Sequence, residues 1–300
     1  MKKYLFLIAL WLAFLIPDLA QAANRFLTCA TTCTLDASNT AIWGTVSGGT
    51  GASVPGSGDD VIFDAGTCVG GTTCTGTFGA GYNPTWLSLT MSACTATTSG
   101  CIIDANTNTN TITLTSATGY VNSGSGTRTL SGGTWVLSGT TTTWNLAASA
   151  TVTNSPSVNF SSSSGNSRSF TGGGKTWGTI TVGASGSNPN GFTFQSGNNT
   201  INTLTITPPN RISINNATNT VTTMTNIVGS SSQEVLFSTF NGTSTFAITN
   251  NFSCSWCGIQ GYTFSGGTHS APNSFDFGGN SGIAITAPSA GGGGGRIIGG

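Results

Sequence analysis

Hydrophobic and polar residues alternate at a period of two along much of the chain. The alternation is regular in residues 111–115, 177–182, 201–206 and 221–227, where Ile, Leu and Val fall on one side of an extended backbone and Thr on the other. Threonine occurs 53 times, while the helix formers Glu and Lys are nearly absent. Gly, Asn and Ser between the alternating runs are typical of turns. We therefore predict a folded, all-β chain.

Some of these strands repeat at a fixed spacing. Residues 199–205 (NTINTLT) return twenty residues later as 219–225 (NTVTTMT), and a looser copy at 179–182 precedes the first by 24. Residues 128–133 (RTLSGG) and 168–173 (RSFTGG) are a second similar pair, forty residues apart, which would be two coils. A period near 20 with strands and small-residue turns is typical of a β-solenoid.

The predicted fold is a single elongated right-handed parallel β-helix of about 20 residues per coil, with capped ends and a length of roughly 50 Å. The alternative fold is one or two β-sandwiches, which also have strands every 8 to 12 residues or so. Antiparallel hairpins favour Asn-Gly turns, and only 190–191 and 241–242 supply that dipeptide.

The amino terminus has the layout of a secretory signal. Lys2 and Lys3 precede an apolar run over 4–17, and Ala22 ends a small-residue cleavage site, so we predict a signal peptide at 1–22. No later segment is apolar enough to span a membrane. We expect a secreted or cell-surface protein with four further parts: a Cys-rich amino-terminal cap with the first coils (23–105), a solenoid body (106–250), carboxy-terminal coils and cap (251–289), and a flexible Gly-rich tail (290–300).

The eight cysteines follow the signal and suggest disulfides in an exported chain. Sequence alone does not fix their pairing, but the spacing suggests local loops: Cys29 with Cys33, Cys68 with Cys74, Cys94 with Cys101, and Cys254 with Cys257. The last pair also has the spacing of a thiol-redox motif, but no βαβ unit surrounds it, which favours a structural role. A zinc site would need a second close pair of ligands.

The segment that starts at Trp43 and runs through the Gly-rich 47–51 to 54–64 (VPGSGDDVIFD) resembles the opening of secreted, autotransporter-like and phage-associated parallel β-helix proteins. Residues 277–282 (FGGNSG) are similar to the end of the same group. The resemblance implies a β-helix. It also implies a surface adhesin or passenger-like rod, because only a minority of such proteins cleave polysaccharides. The eight cysteines and Gly44 after Trp43 depart from the group's pattern.

The carboxylates of Asp59, Asp60 and Asp64 are the candidate metal ligands. Asp60 and Asp64 share one face of a strand, so their carboxylates would converge only if the strand bends. Converged carboxylates would hold Ca²⁺ or act as an acid/base pair. The alternative is a solvated turn in which Asp59 caps backbone amides. We expect no other cofactor.

Enzymatic activity is disfavoured by the scarcity of catalytic residue types. Between 106 and 250 the one acidic residue is Glu234, whereas polysaccharide cleavage on a β-helix asks for several carboxylates on one face. A nucleophile triad would have to use His269, the single histidine, with Ser270 or Ser265 and Asp276.

The threonines suggest a binding surface. Three pairs fall in register when the repeats are stacked: Thr179 and Thr181, Thr203 and Thr205, Thr223 and Thr225. They would form a Thr-x-Thr ladder that resembles the surface of ice-binding solenoids, or a hydroxyl-rich face for glycans or self-association. Thr is also common in strands for conformational reasons alone, so the ladder need not have a binding function. Trp135, Trp144 and Trp177 are expected in the core.

The charge after the signal is six basic against seven acidic residues, all scattered, so a nucleic-acid partner is disfavoured. We predict a non-enzymatic structural or adhesive rod that binds glycans or cell surfaces, with self-association also open. A polysaccharide-cleaving enzyme and an ice-binding protein are the alternative functions.

Overall fold

The structure, a computed structural model, describes residues 22–68, 73–92, 100–106, 109–122, 127–162, 167–184, 191–215, 217–239 and 244–289. The predicted signal peptide before Ala22, the Gly-rich tail 290–300 and Cys94 lie outside these ranges. No helix in the described ranges is long and apolar enough to cross a membrane.

The described chain is built from short strands and one 3₁₀ turn at Thr40–Ile42. The first ten strands are β1 (Asn24–Leu27), β2 (Thr32–Leu35), β3 (Trp43–Gly44), β4 (Asp60–Phe63), β5 (Cys74–Phe78), β6 (Thr85–Trp86), β7 (Ser88–Met91), β8 (Gly100–Asp104), β9 (Thr111–Leu114) and β10 (Tyr120–Asn122). The next ten are β11 (Thr127–Ser131), β12 (Thr134–Leu137), β13 (Thr143–Leu146), β14 (Thr151–Thr153), β15 (Ser157–Phe160), β16 (Arg168–Thr171), β17 (Thr176–Val182), β18 (Phe192–Ser196), β19 (Thr200–Ile206) and β20 (Asn210–Ile214). The last ten are β21 (Thr218–Met224), β22 (Ile227–Val228), β23 (Val235–Ser238), β24 (Ser244–Ile248), β25 (Phe252–Ser255), β26 (Cys257–Gln260), β27 (Tyr262–Gly266), β28 (His269–Ala271), β29 (Phe275–Asp276) and β30 (Ala284–Ile285).

These strands stack into a β-solenoid, which confirms the predicted fold class. They form a twelve-stranded sheet in the order β29-β26-β23-β20-β18-β16-β13-β10-β7-β4-β1-β3 and a nine-stranded sheet in the order β27-β24-β21-β19-β17-β15-β12-β9-β6. A five-stranded sheet (β14-β11-β8-β5-β2) and a four-stranded sheet (β22-β25-β28-β30) complete the faces. Apart from β1 and β3, neighbours in each sheet come from successive coils and run parallel.

The chain passes from sheet to sheet in a regular order. In an early coil, β10 of the twelve-stranded sheet leads to β11 of the five-stranded sheet, then to β12 of the nine-stranded sheet, and β13 returns to the first. From β15 to β21 the strands alternate between the nine-stranded and twelve-stranded sheets, and β22 then starts the four-stranded sheet. The Cys-rich segment contributes strands to the same sheets as the body, so it continues the solenoid.

The coils differ in length, because the turns between strands absorb insertions. Paired residues of adjacent coils are 28 positions apart at Asp60 and Ser88, 20 apart at Asn199 and Asn219, and 18 apart at Thr263 and Ser281. The predicted repeat of 20 residues is confirmed where 199–205 faces 219–225, since Ile201 pairs with Val221.

The amino-terminal edge of the twelve-stranded sheet is closed by one antiparallel strand. Phe26 and Leu27 of β1 pair with Gly44 and Trp43 of β3, and the Trp43 side chain is fully buried. The edge strand β3 is only two residues long, and a very short edge strand is one way that proteins limit end-to-end pairing.

The core is a continuous column of aromatic rings. The Tyr120 ring stacks on Trp144 with centroids 4.3 Å apart, and Trp144 meets Trp177 edge to face at 5.6 Å. Phe170 follows Trp177 at 5.0 Å and Phe194 follows Phe170 at 5.9 Å. Edge-to-face and offset pairs of this kind add to the stabilisation that comes from burying the rings.

The similarity between 128–133 and 168–173 does not mark stacked coils. Arg128 lies on β11 of the five-stranded sheet, whereas Arg168 lies on β16 of the twelve-stranded sheet and pairs with Phe192. Coil length varies, so a spacing of forty is not two coils here. Instead, each segment forms the last strand before a glycine turn, and that turn leads to a strand of the nine-stranded sheet.

Each of those two glycine turns is closed by a tryptophan. The Trp135 indole N–H donates to the carbonyl of Gly132 at 3.1 Å, and the Trp177 indole donates to Gly172 at 3.3 Å. Gly133 has φ +78°, and a Cβ there would lie 2.5 Å from the Ala105 Cβ, so the turn requires glycine. Sequence analysis placed the tryptophans in the core correctly but missed this hydrogen bond.

Arg168 is a buried cation held by neutral groups. Its guanidinium donates to the carbonyls of Ser162 (3.2 Å) and Gly183 (2.7 Å) and to the side-chain oxygen of Asn210 (3.1 Å). Burial lowers the pKa of Arg168 to about 10. The arginine thereby ties β16 to turn carbonyls and to β20.

Replacing Trp177 with Ala should lower the free energy of unfolding by about 3–5 kcal/mol, because it opens a cavity in the aromatic column. Trp177→Phe keeps an aromatic ring and loses the bond to Gly172, so it should cost about 1–2 kcal/mol. Urea unfolding followed by circular dichroism measures both. Equal losses for the two variants would contradict the ring column as the source of the stabilisation.

Candidate functional site

The outward side chains of the nine-stranded sheet form two columns, which we call the threonine face; all members named here are small polar residues except Val136 in the first column. In the first column, Thr113 pairs with Val136, Val136 with Asn159, Asn159 with Thr181 and Thr181 with Thr205. The Thr205 hydroxyl lies 3.0 Å from that of Thr225, which extends the column by one coil. The column therefore crosses five neighbouring strands, β9, β12, β15, β17 and β19, and continues to Thr225, which directly follows β21.

The second column runs beside the first on the same five strands and on β21. Thr111 pairs with Thr134 and Thr134 with Ser157, whose hydroxyl accepts a hydrogen bond from the Thr179 backbone N–H at 3.0 Å. Thr179 pairs with Thr203, and Thr203 with Thr223. The six predicted ladder threonines therefore lie in the register that the sequence indicated.

A bend widens the face on its three longest strands. In β17 two successive residues, Gly178 and Thr179, lie between the buried Trp177 and Ile180. The same arrangement recurs in β19 and β21, and Thr176, Thr200 and Thr220 pair to form a third column ahead of it. The face is thus broadest over these three coils.

A buried amide ladder fixes the corner next to the face. The Asn199 side chain donates to the side-chain oxygen of Asn219 at 3.0 Å, and its own side-chain oxygen accepts from the Gly174 backbone N–H at 3.2 Å. Both asparagines are buried, and each directly precedes a threonine of the third column, Thr200 or Thr220. This bond links two successive coils in one register, and the Asn219 side-chain nitrogen has no hydrogen-bond partner within the described chain.

The chemistry of the face is uniform. No strand of the nine-stranded sheet in the described chain contains a charged residue. Its aromatic rings all point inward and are buried, among them Trp135 and Trp177. The face therefore offers hydroxyl, amide and methyl groups to a partner, without ionic or aromatic contacts.

The outward residues of β9, β12 and β15 belong to the face but were not among the predicted ladder residues. Thr111 and Thr113 have the Thr-x-Thr pattern, but the register from them to Thr179 passes through coils of different length. Ser157 and Thr179 are 22 residues apart, and Thr205 and Thr225 are 20 apart. A search for one fixed period therefore finds only the last three strands.

The three candidate calcium ligands lie at the amino-terminal end of the solenoid. Asp59 accepts a hydrogen bond from the Gly56 backbone N–H at 2.8 Å and lies 3.7 Å from the Arg25 guanidinium. Asp60, on β4, accepts a hydrogen bond from the Ser88 hydroxyl of the adjacent coil. Asp59 therefore caps a turn, as the alternative interpretation expected.

Asp64 has partners of its own. Its side chain accepts hydrogen bonds from the Ser47 hydroxyl at 3.0 Å and from the Gly66 backbone N–H at 2.9 Å. The three carboxylates thus serve separate turns and strands, and calcium binding by them stays a prediction.

The cysteines form local cross-links at both ends of the described solenoid. Three predicted pairs are disulfides, Cys29–Cys33, Cys68–Cys74 and Cys254–Cys257, with Cα atoms 5.8, 5.5 and 6.0 Å apart. Cys101 is also disulfide-bonded, and its predicted partner, Cys94, lies outside the described ranges. The Cys254–Cys257 pair spans the corner between β25 and β26.

The cysteines of two neighbouring coils come together. The ligand atoms of Cys68, Cys74 and Cys101 all lie within 4.8 Å of one another, which is close enough for a metal ion. A metal needs thiolates, and these sulfurs are oxidised to disulfides, so the cluster in this state is a cross-link.

The residues of the hypothetical nucleophile triad have other neighbours. His269 is buried beside the rings of Phe252 and Phe264, with centroids 6.4 and 6.1 Å away. The Ser270 hydroxyl donates to that of Ser253. Burial lowers the pKa of His269, as expected for an imidazole among apolar rings.

Asp276 closes the last turn of the described chain. Its carboxylate accepts hydrogen bonds from the Gly278 backbone N–H at 2.8 Å and the Asn280 side chain at 2.6 Å. The side chains of His269, Ser270 and Asp276 thus have different neighbours: aromatic rings, the Ser253 hydroxyl, and the groups of the last turn.

Comparison with known proteins finds no relative of this chain. No family model, curated protein or solved structure matches the chain. The resemblance to secreted parallel β-helix proteins stays a prediction, and the functional argument depends on the threonine face itself.

Disulfide formation has a simple readout. Alkylation of the unfolded, unreduced chain should leave its mass unchanged, because the described cysteines are all paired. Reduction before alkylation should add one label per cysteine, measured by intact-mass spectrometry. Full labelling without reductant would contradict the cross-linked ends.

Acid should destabilise the fold through His269. Its pKa in the folded state lies below the ordinary value of 6.5, so the unfolded chain binds the proton first and the free energy of unfolding falls as the pH drops from about 7 to about 5. His269→Phe should remove this part of the pH dependence, measured by urea unfolding at several pH values. An unchanged profile in the variant would contradict the buried neutral histidine.

Proposed function

We propose that the chain is an exported, non-enzymatic rod that adheres to an extended, uncharged surface through the threonine face. The observation that carries the proposal is the register of small polar side chains across six neighbouring strands of a sheet whose described strands bear no charge. Such a face suits a partner that presents many equivalent hydrogen-bonding groups.

The rigidity of the rod supports the proposal. Each hydroxyl contact with a surface is weak, because it replaces a hydrogen bond to water. In-register strands hold many hydroxyls in place before binding, so the ordering cost is small and many weak contacts can act together. An extended partner engages the whole face, whereas a small solute meets only one or two side chains.

The signal-like amino terminus and the disulfides at both ends support export. Lys2, Lys3 and the apolar run 4–17 have the layout of a signal peptide, and disulfides persist in oxidising compartments. An exported rod meets envelopes and insoluble polysaccharides, and these are the surfaces to test first.

The test is sedimentation of the purified chain with bacterial envelopes, cellulose or chitin, followed by a reducing-end assay on the supernatant. The wild type should pellet with at least one of these surfaces without releasing reducing ends. Thr203→Lys places a charge between Thr179 and Thr223 and should lower the apparent affinity by about tenfold or more.

Thr193→Lys is the matched control. Thr193 points outward from β18 of the twelve-stranded sheet, between the buried Phe192 and Phe194, so the variant adds the same charge to another face. It should pellet like the wild type. Equal losses of binding in both variants would show that adhesion does not use the threonine face. New reducing ends would show that the chain cleaves polysaccharides and would contradict the non-enzymatic rod.

A further inference from the structure

The threonine face lacks the groups that recognise most macromolecules. Protein interfaces are centred on Tyr, Trp and Arg, and threonine is under-represented among the residues that dominate their affinity. Nucleic acids require clustered cations. No described strand of the nine-stranded sheet carries a charge, and the large exposed hydrophobic side chains of the described chain, Val46, Val228 and Phe277, lie on other parts of the fold.

The same absence argues against recognition of sugars by stacking. A sugar ring that binds a flat protein surface places its C–H groups against an aromatic face, whose negative potential attracts them. The rings under the threonine face, Trp135, Trp177 and Phe160, are all buried in the core. The partner must therefore be recognised by hydroxyl, amide and methyl groups.

Threonine offers a hydroxyl and a methyl group at one fixed position. Its methyl group restricts the orientation of neighbouring water, and its hydroxyl donates to and accepts from that water. The side chain is stiff about χ1, so little rotamer freedom is lost when a water layer forms. A column of threonines is thus a scaffold for ordered water.

The strand geometry makes this scaffold two-dimensional. Adjacent strands lie about 4.8 Å apart, and outward residues two positions apart on one strand lie about 6.6 Å apart. Thr179 and Thr181 supply one row, Thr203 and Thr205 the next, and the hydroxyl of Thr205 is within 3.0 Å of Thr225 in the third. The water held by such rows repeats in two directions, as in a crystal plane.

We propose that the solid bound by the threonine face is ice. The inference rests on the proposed adhesive function and names its ligand: a crystalline water surface with repeating donors and acceptors, no charge and no ring to stack. The water layer that the threonine face orders becomes part of the growing ice crystal, so many weak hydrogen bonds form at once over the face. A charged or aromatic side chain in the columns would interrupt the merged layer.

The experiment is partition of the purified chain into slowly growing ice, together with microscopy of ice recrystallisation. The wild type should be captured in the ice fraction and should keep ice grains small, whereas a globular protein of similar mass should stay in the liquid. Thr203→Tyr, at the centre of the face, should reduce capture by about tenfold. Thr203→Ser keeps the hydroxyl and loses the methyl group, and it should reduce capture by a smaller factor.

Thr193→Tyr on the twelve-stranded sheet is the matched control and should be captured like the wild type. Circular dichroism of every variant verifies that the strands remain formed. Exclusion of the wild type from ice, or an equal loss in Thr193→Tyr, would overturn the inference.

The two proposals fail in distinguishable ways. If the wild type is excluded from ice but pellets with an insoluble polysaccharide, and Thr203→Lys abolishes that pelleting, the ice inference is wrong and the adhesive face stands. If the wild type binds neither ice nor any of the tested surfaces, both are wrong.

Discussion

Parallel stacking of coils in register is the constraint on which the rest of the molecule depends. A strand in the middle of the solenoid satisfies its backbone groups only with the coils on either side of it, so each coil needs two neighbours. The ring column from Tyr120 through Trp144 to Trp177 supports the same stacking from inside, since Tyr120 contacts Trp144 of the next strand in its sheet and Trp144 contacts Trp177 of another sheet. Once inward side chains are fixed in this way, the outward side chains must also align.

Two buried polar side chains of the body are bonded to neutral partners. Arg168 is bonded to carbonyls and to Asn210, and Asn199 is bonded to Asn219. Neutral groups of the solenoid thus surround the Arg168 cation in place of carboxylates, while its Nε atom has no hydrogen-bond partner among the described residues. The described strands of the nine-stranded sheet are free of charge, which is the property that makes the threonine face chemically distinct.

Much of this fold could be predicted from sequence, because period-two alternation directly reports which side of a strand is buried. The register of Thr203 with Thr223 was visible as well, since those coils have equal length. The sequence did not reveal that Thr134 pairs with Ser157, or that Arg128 and Arg168 lie in different sheets. Both depend on turn lengths that vary from coil to coil, and sequence similarity in a Thr- and Gly-rich chain does not report turn length.

The candidate site was predicted only in part, for a related reason. Thr-x-Thr marks strand residues that point outward, but it does not tell which strands are neighbours or what else shares their sheet. The contributions of Ser157 and Asn159, and the absence of aromatic side chains from the face, follow from pairing and burial. Sequence supplied the chemical groups, and the stacking decides where they meet.

A high-resolution crystal structure of the chain is the most direct test of the central claim, that stacking creates an ordered array of hydroxyl groups. The account predicts that Thr179, Thr203 and Thr223 share one rotamer and that a regular row of water molecules follows their column. Mixed rotamers without ordered water, or a slipped register that turns these side chains inward, would contradict it.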